Sequence, residues 1–379
     1  MAKGKRKLKV FEAFAGIGAQ SVALRRAKIP FVSVGISEWF IDAIISYDAL
    51  NHGNEELPKV PSYKYQLKYL SKFTFSIDSQ KPIKNLKSIG KEKIRQLYIA
   101  NKRSKNYGSI TEINPDKLPK IDLLTYSFPC QDLSTGGKTL GMAKGSGTRS
   151  GLLWEIERLL KGLSTKKHGL PKYLLLENVA AIIADSNKDD LDEWLSFLRS
   201  LGYKNSDPVI LDASEFGVPQ DRKRCIIVSS LKKKYEIDGN LKRSSKPNAL
   251  NFYFDDYKNP ILKKEADDAS LNPTISRLNM WRINHRDPVS SSTIFHTVTC
   301  NMDRSNNAGM VRYDLYKGRW FRLLTIREAF RLMGFTQKQY ETIKELGFSY
   351  RRMNKLIGNS IVVNVLAAVF SEVFKEYKQ

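Results

Sequence analysis

Cysteine is scarce in this chain: Cys130, Cys225 and Cys300 are the only three in 379 residues, and no two form a Cys-x-x-Cys pair. That spacing gives neither a disulfide framework nor a zinc knuckle, and it places the protein in a reducing compartment, the cytoplasm. Histidine is nearly as rare. His52, His168, His285 and His296 are scattered and include no His-Glu-x-x-His, so no metal site is expected. Long apolar runs are missing too: the stretch around Tyr173 to Ile183 is broken by Glu177 and Asn178 and is too short to cross a bilayer. Ala2 to Lys7 has the charge of a signal peptide, but a strand-like segment follows it. No membrane partner is expected. Acids are also in deficit, with 39 Asp and Glu against 63 Lys and Arg, for a formal charge of +24. Such an excess attracts polyanions and points to nucleic acid rather than to a small neutral substrate.

What is present begins with texture. At 41% hydrophobic residues the chain can bury a core, and its length suits one large domain plus a smaller one. Short apolar runs alternate with segments of helical period: Leu8 to Phe14, then Ala19 to Ala27; Phe31 to Ile36, then Phe40 to Leu50. This predicts an α/β fold with a doubly wound sheet. Ile121 to Tyr126, Tyr173 to Glu177, Val209 to Leu211 and Cys225 to Ser229 supply further strands. Leu153, Ile156, Leu159, Leu160 and Leu163 line one helix face, and Leu191, Trp194, Leu195, Leu198 and Leu201 another, closed by Gly202. From Leu231 to about Leu271 the sequence turns polar, and periodicity returns only at Phe321, which predicts a second, irregular module. Glu55 to Tyr107 is rich in Lys, Tyr and Phe. That composition fits either a nucleic-acid surface or a solvated, partly helical excursion.

Several residues carry possible chemistry. Cys130 follows Pro129 where the apolar run ending at Tyr126 meets a polar loop, a placement that makes the thiol reachable as a nucleophile; a buried small hydrophobe is the bland alternative. Gly16 and Gly18 follow the first strand and allow the backbone to approach a ligand. Glu38, after the second strand, is placed to bind ribose hydroxyls, with Trp39 as a face for adenine. Glu177 stands at the end of three leucines, where burial would raise its pKa for proton sharing. Arg222 and Arg224 alternate, so on an extended segment they share one face with Gln220, ready for a base oxygen and a phosphate; a solvated basic strand is the other reading. The glycines between Gln131 and Ser150 allow that loop to close, and Ser134 and Arg149 in it are candidate phosphate contacts.

Phe14-Ala15-Gly16-Ile17-Gly18, Pro129-Cys130-Gln131, Glu177-Asn178-Val179, Gln220-Asp221-Arg222-Lys223-Arg224 and Gly358-Asn359-Ser360 occur in one order. Together they resemble the DNA cytosine-5 methyltransferases, from about Lys9 to Val369 except for the insertion and the polar module. The blocks Val10 to Phe14 and Arg149 to Glu155 are most similar to those of short prokaryotic members that methylate CpG. The resemblance implies a Rossmann-like methyltransferase domain and S-adenosylmethionine as methyl donor, without metal. Its partner would be double-stranded DNA, and a monomer with a cognate restriction endonuclease is expected. Phe14, Gly16, Gly18, Glu38, Trp39, Ser109, Ile110, Pro129, Leu153, Asn359 and Ser360 would hold the donor. Cys130, Glu177, Arg222 and Arg224 would be catalytic, and Gln131, Ser134, Arg149, Gln220 and Thr297 would contact DNA.

The resemblance also implies how these residues act. Cys130 adds to C6 of a flipped-out cytosine, Glu177 serves N3 and the amine, and C5 takes the methyl group before its proton leaves to a base that the sequence does not name. Three departures stand out: Gly108-Ser109-Ile110 replaces Gly-Asp-Ile, Glu12 replaces an Asp, and Ala19 replaces a Gly. The expected domains are 1–232 with an insertion at 55–107, a target-recognition region and hinge at 233–350, and a return at 351–379. That recognition region would run up to Arg322, Thr325 and Glu328. A tRNA-methylating branch shares the motifs but carries a Cys-Phe-Thr tripeptide that is missing here, and an inactive DNA-binding relative would not need all four catalytic residues.

Overall fold

The computed structural model describes residues 7–53, 55–56, 59–129, 133, 141–145, 150–244, 257–283, 294–302, 310–316 and 318–378. It divides into two compact units, one of residues 1–211, 223–241 and 367–379, the other of residues 212–222 and 242–366. This differs from the expected bounds in three places: the Asp212 to Arg222 segment goes with the second unit, that unit resumes at Lys242 rather than at 233, and the return to the first begins at Ala367 rather than at 351.

The first unit is built on a sheet of β1 (Leu8–Ala13), β2 (Phe31–Ser37), β3 (Leu123–Tyr126), β4 (Tyr173–Val179), β5 (Lys204–Asn205), β6 (Val209–Asp212) and β7 (Lys223–Ser230). The order is β2-β1-β3-β4-β7-β5, with β6 also on β7. The first four strands in that order are parallel, and β7 runs antiparallel to both β4 and β5. Alternation along β1 divides the sheet's faces. Phe11 and Ala13 join a core that contains Leu153, Ile156, Leu160 and Leu163 of α5 (Leu153–Ser164) and Leu191, Trp194 and Leu198 of α6 (Asp185–Ser200). Glu12, between them, bonds Ser21 of α1 (Ala19–Arg26) and Tyr47 of α2 (Ile41–His52) on the other side. Helices on both faces of a mainly parallel sheet are the doubly wound arrangement, and both predicted helix stripes face the core.

The insertion is neither loose nor wholly solvated. It holds α3 (Tyr63–Leu70) and α4 (Lys91–Arg103), and α4 buries Ile94, Leu97, Tyr98 and Ala100. Lys93 pairs with Asp42 of α2, and Arg103 makes a two-pronged bond to Asp48 at 2.9 and 2.5 Å. Beyond α4, Tyr107 donates its N–H to Ile36 at 2.9 Å, and Asn106 forms a parallel bridge to the same strand end. The chain therefore extends the β2 edge before it reaches Gly108.

The second unit contains a small antiparallel sheet, β8 (Ser270–Leu271), β10 (Arg319–Leu323) and β9 (Met310–Tyr316), in the order β8-β10-β9. Arg322 is fully buried and forms a fork of 2.8 and 2.7 Å with Glu328, while Tyr257 accepts from its Nε. Glu328 also closes a capping box with Thr325 at the start of helix Ile326–Leu332. Those bonds account for the spacing of Arg322, Thr325 and Glu328. Tyr350–Val373 is apolar and long enough for a membrane span, but 67% of its most apolar 18-residue stretch is buried inside the protein and it is broken into helices Tyr350–Gly358 and Val363–Val373.

Removing one partner of a buried ion pair leaves a charge without compensation. Asp48→Ala is expected to cost about 3 kcal/mol of stability, read as a lower urea midpoint of the first unit's tryptophan fluorescence. Glu92→Ala, whose pair with Arg95 is solvent-exposed, should change it little. Equal effects from the two variants would show that the Asp48 pair does not fix α4.

Candidate active site

Parallel strands end together, and in register Ala13 of β1 lies opposite both Ser37 of β2 and Tyr126 of β3, while Tyr126 lies opposite Leu176 of β4. The segments after Ala13, Ser37, Tyr126 and Leu176 therefore emerge along one edge, the place where open α/β sheets bind ligands. Those segments carry four of the predicted motifs.

At the β1 end the chain turns through Phe14, Gly16 and Gly18, all with positive φ. A side chain at Gly18 would meet Asn51 Nδ2 at 2.3 Å and the Tyr47 ring at 2.7 Å, whereas nothing lies within 4 Å of the position a Gly16 Cβ would take. Gly18 is thus required by packing, and Gly16 leaves open space. Gly16 donates its N–H to Glu38 Oε2 at 2.9 Å, and Trp39 and Phe40 both donate to Oε1 at 2.8 Å. Burial pushes the Glu38 carboxyl above its usual range against the pull of these three N–H groups. Trp39 beside it is half-buried.

Below this turn, Glu12 accepts from Ser21 and, at 2.6 Å, from Tyr47. Burial raises its pKa against those donors, and its Oε2 has no hydrogen-bond partner among the described residues. An open glycine turn, a nearby carboxylate and an orphaned acceptor fit a ligand with a ribose and a cationic centre, as S-adenosylmethionine has.

Sequence reasoning missed the residue that shapes this corner. Asn106 is buried, accepts the Glu38 N–H at 3.0 Å and the Gly108 N–H at 3.1 Å, and donates to the Glu38 carbonyl at 2.9 Å and to Asn101 Oδ1 at 2.8 Å. Ser37 Oγ donates to the Gly108 carbonyl at 2.8 Å. The turn after β2 and the Gly108-Ser109-Ile110 segment are thereby bound to each other. Ser109 itself is half-buried, its hydroxyl 2.8 Å from that of Thr111. Ile110 and Leu153 belong to the hydrophobic core, and Leu153 is fully buried.

The other half of the edge is organised by Glu177, which is buried. Val179 lies opposite Arg224 on the antiparallel β7, and Glu177 is two residues from Val179 on the same face. Arg224 therefore reaches its diagonal neighbour, with Nε 3.3 Å from Glu177 Oε1, while Ser127 Oγ donates to Oε2. Asn178 points the opposite way: its Nδ2 donates to the Phe128 carbonyl at 3.2 Å and its Oδ1 accepts the Val179 N–H at 2.8 Å. This pins the backbone two residues before Cys130.

Cys130, Gln131, Ser134 and Arg149 lie outside the described residues. The ends of their loop are fixed: Ser150 donates to the Pro129 carbonyl at 2.9 Å, and Trp154 donates to that of the buried Met142 at 2.8 Å. Lys144 pairs with Glu157 and stands 4.9 Å from the Trp154 ring centroid. Cys225 is fully buried, and burial pushes its thiol up to about 12, so it remains protonated.

Gln220 and Arg222 do not share a face with Arg224, because β7 begins only at Lys223. Gln220 is fully buried, donating to the Leu332 carbonyl and accepting the Val298 N–H, each at 2.8 Å. Arg222, also buried, donates to the carbonyls of Val298, Ser360 and Gly358 at 2.7, 2.8 and 3.3 Å. Both hold main chain inside the second unit, which corrects their expected aim at base and phosphate. Thr297 is half-buried and donates to the Asp221 carbonyl at 2.6 Å. Asn359 and Ser360 belong to the second unit as well, so the geometry of the first unit does not bear on them. Among the described residues no group of three His, Cys, Asp or Glu could hold a metal ion.

A profile of the C-5 cytosine-specific DNA methylases matches residues 84–375. The orphan methyltransferase M.SssI of Spiroplasma monobiae is 37% identical, with 97% of each chain covered. The type II methyltransferase M2.ScrFI of Lactococcus lactis subsp. cremoris is 34% identical across 97% of this chain and 99% of its own. In three dimensions the chain is similar to the S. pombe Dnmt2 methyltransferase, with a TM-score of 0.65 at 19% identity, covering 98% of this chain and 99% of that one. At that identity the likeness shows the fold.

If Asn106 sets the Glu38 turn, Asn106→Ala should weaken S-adenosylmethionine binding about tenfold, roughly 1.4 kcal/mol, by calorimetry. The Michaelis constant for DNA should stay at its wild-type value. Parallel losses in both would mark Asn106 as a general support of the fold.

Proposed function

The chain belongs to the C-5 cytosine-specific DNA methylases, and we propose that it methylates a flipped-out cytosine through a covalent adduct of Cys130. It is a DNA (cytosine-5) methyltransferase that modifies a short specific sequence with S-adenosylmethionine as co-substrate. The observation that carries the mechanism is the buried Glu177 carboxylate, clamped by Ser127 and Arg224 at the point where the Cys130 loop leaves the sheet.

A cytosine in a duplex hides C6 within its stack, so the base must leave the helix. The Cys130 thiolate then forms a bond to C6, and the electron pair released into the ring is met at N3 by a proton shared with Glu177. Arg224 is assigned to the base O2 and to holding Glu177 in place, and Ser127 orients the second carboxylate oxygen. Bound S-adenosylmethionine supplies an electrophilic methyl group on a sulfonium. Phe14, Gly16, Gly18, Glu38 and Trp39 are assigned to hold it, together with Ser109 and Pro129; Asn359 and Ser360 are assigned on their motif alone. Loss of the C5 proton to water lets the C5–C6 double bond re-form and expels the Cys130 thiolate. Reading of the target is assigned to the second unit, and contact with the flanking strand to Gln131, Ser134, Arg149 and Thr297.

Two measurements test this chemistry. Arg224→Ala is expected to lower kcat about a hundredfold, the scale for removing one positioned donor, measured at a temperature where circular dichroism shows the variant folded, since it also leaves the buried Glu177 without its partner. Wild-type turnover in that variant would return Arg224 to a surface role. In the second, the target found by bisulfite sequencing of a methylated plasmid is resynthesised with 5-fluorocytosine. Fluorine cannot leave as a proton, so elimination stalls and a denaturation-resistant adduct should form only with S-adenosylmethionine. Cys225→Ala and Cys300→Ala should trap it and Cys130→Ala should not. An adduct persisting in Cys130→Ala would overturn the nucleophile assignment.

A further inference from the structure

We propose that the stretch from Lys59 to Lys105, inside the 55–107 insertion, is a rigid clamp for duplex DNA, holding phosphates that flank the target beside the cofactor edge; this rests on the reading as a DNA methyltransferase. The span has thirteen Lys and Arg against two Asp and Glu. Its ion pairs involve Lys93 with Asp42, Arg103 with Asp48 and Arg95 with Glu92. Asp78, its other acid, is turned inward and accepts from Ser76 Oγ, Gln80 N and Lys81 N at 2.9 to 3.1 Å. Lys64, Lys68, Lys72, Lys81, Lys84 and Lys87 are all exposed, and among the described residues none is within ion-pair distance of a carboxylate.

Like charges collected without counter-charges repel one another in the folded state, a cost that a polyanion removes on binding. A solvated face would ordinarily mix both signs. Elsewhere in the first unit it does: Lys232 pairs with Glu376, Lys234 with Asp207, Lys172 with Asp122 and Lys166 with Asp116. The insertion differs from that background in leaving its lysines unmatched.

Its attachment sets where those charges stand. Ser76 is stitched into the cofactor turn, donating its N–H to the Trp39 carbonyl at 2.8 Å and accepting that of Ile41 at 2.9 Å. The pairs from α4 to α2 fix the other end. The lysines are thus carried on a fixed platform at the same strand edge that bears Glu38. Lys64 and Lys68, one helical turn apart on α3, are separated by about 6 Å of rise, a spacing on the scale of phosphates that recur about every 3.4 Å of duplex axis on one strand. Tyr65 and Ile77, at 53% and 49% exposure, give the surface apolar atoms for sugar contact.

The test uses the full chain with Lys64, Lys68, Lys84 and Lys87 changed together to Gln, and in a second variant to Arg. Binding and methylation are measured on a target centred in a duplex of about 30 base pairs and on one trimmed to about 12, at several salt concentrations. Each lost contact should flatten the log–log salt slope by about 0.9. The Gln variant should bind the long duplex at least tenfold more weakly, with the short duplex and kcat at saturating DNA unchanged. The Arg variant, which keeps the charge, should behave as wild type. An unchanged slope on the long duplex would overturn the proposal, as would a loss seen only with a structured RNA competitor. Wild-type methylation of the short duplex tests the enzymatic reading separately, so failure of one is not failure of the other.

Discussion

A carboxylate removed from water has to be held by donors, and the catalytic edge is arranged around that requirement at Glu177. Its position in β4 would be useless without the reversal of direction at β7. Were β7 parallel like its neighbours, its far end at Ser230 would meet the edge, and Arg224 would stand at the opposite end of the sheet. The antiparallel pairing instead sets Arg224 across from Val179, one diagonal step from Glu177. Ser127, the residue after β3, completes the set, and Asn178 uses the other face of β4 to hold the Phe128 carbonyl. Three strands thus converge on one side chain, and each contribution depends on register. A slip of one residue would send every one of them to the wrong face.

The cofactor corner obeys the same rule with different donors. Glu38 is satisfied by three backbone N–H groups of its own turn and of the glycine turn, and the shape of that turn is set by Asn106, which arrives from the insertion. The insertion is therefore part of the catalytic unit's construction and not a decoration. Its two buried ion pairs to α2 and its backbone bridge to β2 give Asn106 a fixed place from which to act.

The elements that were readable in the sequence are those whose physics is local. Strand runs such as Leu123–Tyr126 and the leucine stripes of α5 and α6 announce themselves by period, and acids and glycines at strand ends announce an edge. Gln220 and Arg222 misled because alternation implies a shared face only inside a strand, and β7 starts one residue after Arg222. Ser127 and Asn106 gave no signal for a different reason. Their partners lie 50 and 68 residues away, and Asn106 acts largely on backbone groups, which look alike at every position. Arg322, Thr325 and Glu328 were visible only as a spacing; the buried fork and capping box that explain it required coordinates.

Charge is distributed in this protein by length scale. A surface excess of +24 acts at a distance on a polyanion, yet it also repels a sulfonium cation. Mobile ions damp that field beyond roughly 8 Å at physiological salt, so it governs encounter with DNA more than it governs a small cation inside a cleft. At the edge we assign to the donor the local groups are acids: Glu12 and Glu38 sit at the ends of β1 and β2, each held by donors, Glu12 buried and Glu38 half-buried. Their burial raises both pKa values, which limits how much negative charge they carry when no cation is near. A bound cation would favour the ionised forms in turn, so donor binding and carboxylate ionisation reinforce each other. On the proposed assignment the same chain attracts a polyanion over its surface and holds a cation beside these two acids.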